Sequence, residues 1–110
     1  MAEIPMDKVF HALADPLRIQ IIESLRHTEY CVQDLCNSLN VSQSKLSFHL
    51  RVLKEASIVR SQSRGRWNYY SLNLPQIAAV EQHLAEYRCQ AQMLPPHSRS
   101  TKALATHKNS

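Results

Sequence analysis

The chain has 110 residues, a hydrophobic fraction of 44% and a formal net charge of +4. That length fits one small core, and no uninterrupted apolar stretch approaches the ~20 residues a membrane span needs. A single glycine rules out a Gly-rich phosphate-binding loop, and the six histidines are scattered without a nucleophile–base–orienter pattern, so an enzyme is not expected.

The first residues, Met1 to Pro5, have neither a basic n-region nor an apolar h-region, and a cytoplasmic location is expected. Three cysteines in such a chain are expected as thiols, not as a disulfide framework. Met6, Val9, Phe10 and Leu13 fall at i, i+3, i+4 and i+7, which predicts a first helix running to about Ala14. Asp15-Pro16 breaks it, with Asp15 as N-cap of a second helix and Pro16 at its first position. Leu17, Ile19, Ile21, Ile22 and Leu25 are apolar nearly all round, the pattern of a buried helix. Val32, Leu35, Cys36 and Leu39 mark a short third helix, Asn40 and Val41 a turn, and Ser42 the N-cap of a fourth. Leu46, Leu50 and Leu53 form that helix's inward stripe, leaving Gln43, Ser44, Lys45, Ser47, His49 and Arg51 mainly for other faces. The runs from Ile58 to Ser63 and from Arg66 to Leu72 read as strands flanking Arg64-Gly65, a hairpin with a basic tip. Pro75 opens a last long helix, on which Ile77, Val80, Leu84, Tyr87 and Ala91 alternate steps of three and four. Such a narrow seam suits pairing with a second copy of the chain. Pro95-Pro96 ends the helix, and His97 to Ser110 lacks periodicity. One domain is therefore expected over residues 1–94, with a disordered tail over 95–110.

In sum this is a mainly α chain with a β-hairpin wing, in the order α-α-α-α-β-β-α: a winged helix-turn-helix. The best-known use of that fold is reading DNA. Charge placement agrees. Residues 1–40 hold three basic side chains against six acidic ones, whereas residues 41–70 hold Lys45, Arg51, Lys54, Arg60, Arg64 and Arg66 against Glu55 alone. A polyanion accounts for that concentration through phosphate contacts and counterion release. Ser42, Gln43, Ser44, Lys45, Ser47, Phe48, His49 and Arg51 are the candidates for the major groove and its backbone. Arg64 and Arg66 are the candidates for the minor groove or flanking phosphates. The short polar side chains on this helix lack the apolar anchors of a protein-binding face.

Four runs stand in series: Ala12-Leu13-Ala14-Asp15-Pro16-Leu17-Arg18-Ile19, Cys31-Val32-Gln33-Asp34-Leu35-Cys36, Ser42-Gln43-Ser44-Lys45-Leu46-Ser47-Phe48-His49-Leu50 and Gly65-Arg66-Trp67-Asn68-Tyr69-Tyr70. Together they resemble the ArsR/SmtB family of bacterial metalloregulators over about residues 5–92. The resemblance implies a homodimeric repressor, paired through its first and last helices and bound to an inverted repeat of operator DNA. It implies no cofactor for DNA binding, and release when an inducer binds. Arsenic-responsive members of the family carry a Cys-Val-Cys-Asp-Leu-Cys box. Cys31 and Cys36 match its outer positions, and Gln33 replaces the middle cysteine. Trivalent arsenic or antimony is the implied inducer, held by Cys31 and Cys36 with Cys89 as candidate third thiolate, since soft ions select thiolate. Five residues turn about 140° on an ideal helix. The two thiols therefore converge only if Cys31 precedes the first turn or the turn is distorted. Zinc-responsive members pair an Asp-x-His with a His-x-x-Glu on the last helix. His83-Leu84-Ala85-Glu86 matches the second half, but Asn73-Leu74-Pro75 lacks the first, so His83 and Glu86 read as surface residues. Sensors of reactive sulfur place thiols as Cys31 and Cys89 stand here. A thiol-redox repressor and a zinc- or cadmium-responsive one are the alternatives.

Overall fold

A computed structural model describes residues 4–93. The elements are α1 (Met6–Leu13), α2 (Pro16–Ser24), β1 (Tyr30–Cys31), α3 (Val32–Leu39), α4 (Gln43–Glu55), β2 (Val59–Arg64), β3 (Trp67–Leu72) and α5 (Leu74–Met93). The described residues group into two compact units that part within α5, after Ala78. The expected tail, 95–110, lies outside the described residues, as does the Pro95-Pro96 stop.

Local chemistry sets each junction in the first unit. The Asp15 carboxylate accepts the amides of Leu17 and Arg18 at 2.8 and 3.2 Å, capping α2 behind Pro16. Burial alone would raise the Asp15 carboxyl, but the two amides and the Arg18 charge outweigh it and hold the group below its ordinary value. The Ser42 hydroxyl accepts the Lys45 amide at 3.2 Å and starts α4. Asn40 turns the chain out of α3 in the left-handed conformation. At the end of α4, Ser57 is left-handed (φ 62), with Ser57 N–H on the Lys54 carbonyl and Ile58 N–H on the Leu53 carbonyl. That is a Schellman motif without its usual glycine, closed by the buried pair Leu53 and Ile58.

The core lies where α1, α2, α3 and α4 meet β2: Val9, Ile21, Leu35, Leu46, Leu50 and Leu53 are sealed from solvent. All three strands are antiparallel in the order β1-β3-β2. Tyr30 opposes Tyr70 and Cys31 opposes Tyr69, while β2 and β3 pair from Val59 with Leu72 to Arg64 with Trp67. The two-residue hairpin turn is Gly65-Arg66, with Gly65 at φ 63. Glycine at the first central position suits a type II′ turn. Open space surrounds the site, so backbone conformation alone demands it. Within this unit, Asn73 Nδ2 donates to the Ser57 carbonyl (2.8 Å) and Gln76 Nε2 to the Ala56 carbonyl (3.1 Å), holding the first turn of α5.

The structure corrects three expectations. β1 was not foreseen, because two residues show no periodicity. β2 lies one residue later than expected and β3 starts one residue later while still ending at Leu72, so Arg64 belongs to β2 and not to the turn. α2 is not buried all round: Ile19 is 43% exposed, and Arg18, a charged residue, is buried instead.

In the second unit, Leu84 and Tyr87 of the expected seam face solvent, and Val80 is buried. His83 meets Tyr87 edge to face, its Nε2 3.0 Å from the phenol oxygen. No described helix is long and apolar enough to cross a membrane.

Candidate nucleic-acid interface and thiol residues

α4 opens on three exposed polar residues, Gln43, Ser44 and Lys45, behind the exposed Ser42 cap. Leu46, Leu50 and Leu53 turn inward, so Ser47, Phe48 and Arg51 remain on the solvent side. The Arg51 guanidinium sits 5.8 Å from the centroid of the half-exposed Phe48 ring, within cation–π reach. This polar strip begins at a helix N-terminus, where the backbone dipole favours anions.

Two of the expected DNA-facing residues are placed otherwise. His49 is 9% exposed, and its Nδ1 lies 2.9 Å from Nη1 of the buried Arg18. A guanidinium has no acceptor, so Nδ1 must accept and the ring proton sits on Nε2. Arg18 also donates from Nε to the Ala12 carbonyl (2.7 Å) and from Nη2 to the His11 carbonyl (3.3 Å). The imidazole is therefore an internal tie between α4 and the α1–α2 corner, and it is withdrawn from the exposed face of α4. Arg64 likewise does not project freely from the hairpin. Its guanidinium grips both carboxylate oxygens of Glu29, through Nη1 on Oε2 and Nη2 on Oε1 (2.8 Å). It also donates to Gln62 Oε1 at 3.0 Å and lies 4.7 Å from the Tyr69 ring centroid. The hydrogen bond to Glu29 holds the Arg64 guanidinium above its already high ordinary value. Arg66, on the turn, is exposed and takes part in neither ion pair found among the described residues. Beside it Trp67 is half exposed.

Cys31 ends β1 and is the N-cap residue of α3, with extended backbone (φ −79, ψ 164) and a buried side chain. It thus stands before the first turn, one of the two conditions for converging with Cys36. Cys36, a turn further on, is half buried, and its carbonyl accepts the Val41 amide. Cys89 lies exposed in the second unit. Among the described residues no group of three or more His, Cys, Asp or Glu side chains is gathered to hold a metal ion. Cys31 and Cys36 thus offer two thiol side chains and no third donor among the described residues. Glu29 and Arg18 were missed by sequence reasoning, because their partners Arg64 and His49 lie 35 and 31 positions away.

A polar strip on the second helix of the motif, beside a basic hairpin, defines a winged helix-turn-helix protein, the class whose second helix reads DNA. Residues 15–61 match the family described as bacterial regulatory protein, arsR family. The chain is 36% identical over 86 residues to the arsenical resistance operon repressor of Escherichia coli K12, spanning 76% of this chain and 73% of that protein. It is 41% identical over 68 residues to the arsenical resistance operon repressor of Bacillus subtilis 168, spanning 61% of this chain and 65% of that protein, just under two thirds. A solved ArsR-like transcriptional regulator from Rhodococcus sp. RHA1 matches with a TM-score of 0.74 over 94% of this chain and 87% of that one; at 23% identity this likeness concerns the fold alone. The chain belongs to the arsR family of bacterial regulatory proteins.

Proposed function

We propose that this chain is a cytoplasmic transcriptional repressor that binds an inverted repeat of double-stranded operator DNA as a homodimer. A thiol-binding inducer, trivalent arsenic or antimony, then releases it. The observation that carries the DNA reading is the division of α4. Leu46, His49, Leu50 and Leu53 are buried, while Gln43, Ser44, Lys45, Ser47, Phe48 and Arg51 face solvent, as does Arg66 on the hairpin turn. Base edges are read from the exposed set, and Arg66 with Lys45 meets phosphate. Pairing is supported by apolar side chains left in solvent: Leu84 and Tyr87 in the second unit, and Phe10 and Ile19 in the first. Two-fold symmetry then places half-sites about one helical turn apart.

The inducer reading rests on Cys31 and Cys36 at the start of α3, together with two relatives named for arsenical resistance. Cys31 and Cys36 supply two thiolates, and Cys89 is the candidate third. No cofactor is required for DNA binding. An inducer works only as far as it prefers the DNA-free conformation. The test is release from a duplex selected by the protein from a random library, challenged in parallel with arsenite, antimonite, zinc, cadmium and a persulfide. Arsenite release lost in Cys31→Ser and in Cys36→Ser is the expected result. Release by persulfide alone, lost in Cys31→Ser and Cys89→Ser, transfers the assignment to sulfur sensing. Release by zinc in all three variants removes thiols from the mechanism.

A further inference from the structure

We propose that Glu29 is an internal stand-in for a DNA phosphate, competing for Arg64 and so setting how tightly the hairpin engages DNA. The inference deepens the DNA reading above and rests on it. Glu29 is the only acidic residue that ion-pairs with the hairpin among the described residues. It precedes β1, whose pairing with β3 brings it to the edge opposite β2. Arg64, the last residue of β2, reaches back over the Tyr69 ring of β3 to meet it. The grip is bidentate, the geometry a guanidinium also makes with two phosphate oxygens. Carboxylate and phosphate therefore satisfy the same donors, and Arg64 cannot serve both with the same fork.

Burial gives the pair its lability. The Arg64 side chain is 47% exposed and that of Glu29 35%, so water already screens their attraction. No enclosed charge is stranded when they part, unlike a pair in a core. Gln62 and Tyr69 hold the guanidinium over the sheet without neutralising it, so it stays poised at the hairpin when the carboxylate is absent. Among the described residues Arg66 has no carboxylate competitor, and Arg60, further back on β2, donates to the neutral Asn73. Arg64 is thus the hairpin arginine held in reserve.

The discriminating experiment is a double-mutant cycle on a random-sequence 25-base-pair duplex, because phosphate contacts do not depend on base sequence. Wild type, Glu29→Gln, Arg64→Ala and the double variant are titrated at several salt concentrations, after melting curves confirm that all four are folded. Glu29→Gln is expected to tighten binding about 2- to 5-fold when Arg64 is present, the size of an exposed ion pair, and much less when it is Ala. Equal tightening in both backgrounds overturns the proposal, since only the removal of a negative charge is then at work. Unchanged or weakened binding in Glu29→Gln also overturns it, and makes the pair a brace for the hairpin. Wild type that shows no salt-dependent duplex binding overturns the DNA reading itself, and the inference with it. Glu29→Ser repeats the cycle with a shorter neutral side chain and is expected to agree.

Discussion

Replacing His49 by alanine tests whether this residue reads DNA or holds the motif together. The ring is 9% exposed and takes a hydrogen bond from Arg18, itself 6% exposed, at 2.9 Å. Truncation removes one of three acceptors from a buried guanidinium, and hydrogen bonds to charged groups contribute about 1.5–3 kcal/mol. The vacated ring volume adds to this, because the neighbouring α4 residues Leu46, Leu50 and Leu53 are already fully packed. A loss of about 2–4 kcal/mol is expected, against a total stability of roughly 5–15 kcal/mol for a domain of ordinary stability. Urea unfolding reads it as a lowered midpoint with unchanged slope, and thermal melting as a fall on the order of 10–20 °C. Arg18→Ala takes the guanidinium donor from the Ala12 carbonyl and from the imidazole, while the His11 carbonyl keeps the Ala14 amide, so a loss of similar size is expected. The double variant should cost less than the sum, since each partner has less to lose once the other has gone. Below its melting range, His49→Ala should keep its preference for the selected duplex over random DNA. An unmoved unfolding midpoint with lost sequence preference refutes the reasoning and returns His49 to the reading face.

Ser57→Gly should raise the unfolding free energy by about 0.5–1 kcal/mol, because the left-handed position at the end of α4 penalises any side chain. Ser57→Val should lower it by at least about 1 kcal/mol in the same urea assay. Leu84→Glu is expected to yield a monomer with weakened operator affinity, read by sedimentation; a wild-type monomer at micromolar concentration with full affinity contradicts the pairing. Asp15→Asn keeps a capping oxygen and removes the charge. The folded carboxyl is held below its ordinary value, so its contribution is present above about pH 4 and is lost as pH falls through the folded value. The stability gap between wild type and Asp15→Asn should therefore be flat near neutrality and close in acid; a gap that widens there contradicts the sign.

Junctions and stripes were legible because their causes are local. Asp15-Pro16, Ser42 and Gly65 act within three residues of themselves, and the structure finds each in its expected role or within one residue of it. The apolar stripes of α3 and α4 likewise repeat at helical spacing. His49 shows where that reading stops. It stands three residues after Leu46 and so shares a face with the core, but polarity alone assigned it outward. Its partner Arg18 lies 31 positions away on a helix whose apolar residues suggested burial on every side. The Glu29–Arg64 pair spans 35 positions and depends on β1, an element too short to show a period. For the thiols, the identities of Cys31, Cys36 and Cys89 were plain, but whether a third ligand joins the first two is a matter of tertiary placement.

The position of Cys31 gives the proposed thiol response a physical route. One residue is at once the end of β1, opposite Tyr69 of the hairpin, and the N-cap position of α3, whose Leu35 is buried in the core it shares with α4. The Cys31 side chain makes no capping hydrogen bond, so this helix start is not locked by local chemistry in the way Asp15 and Ser42 lock theirs. A ligand that draws the Cys31 and Cys36 sulfurs together pulls on the first turn of α3 from both sides. The pull then bears on the two elements proposed to touch DNA: α4 through the helical core, and the hairpin through the β1–β3 pairing. Glu29 lies two residues before Cys31 and Arg64 closes the hairpin, so the same displacement also loosens or tightens the reserve cation. A thiol site further along α3 lacks the direct strand pairing with the hairpin that Cys31 has through β1 and β3. At Cys31 a small shift reaches both proposed contacts at once, through β1–β3 pairing and through the core shared with α4.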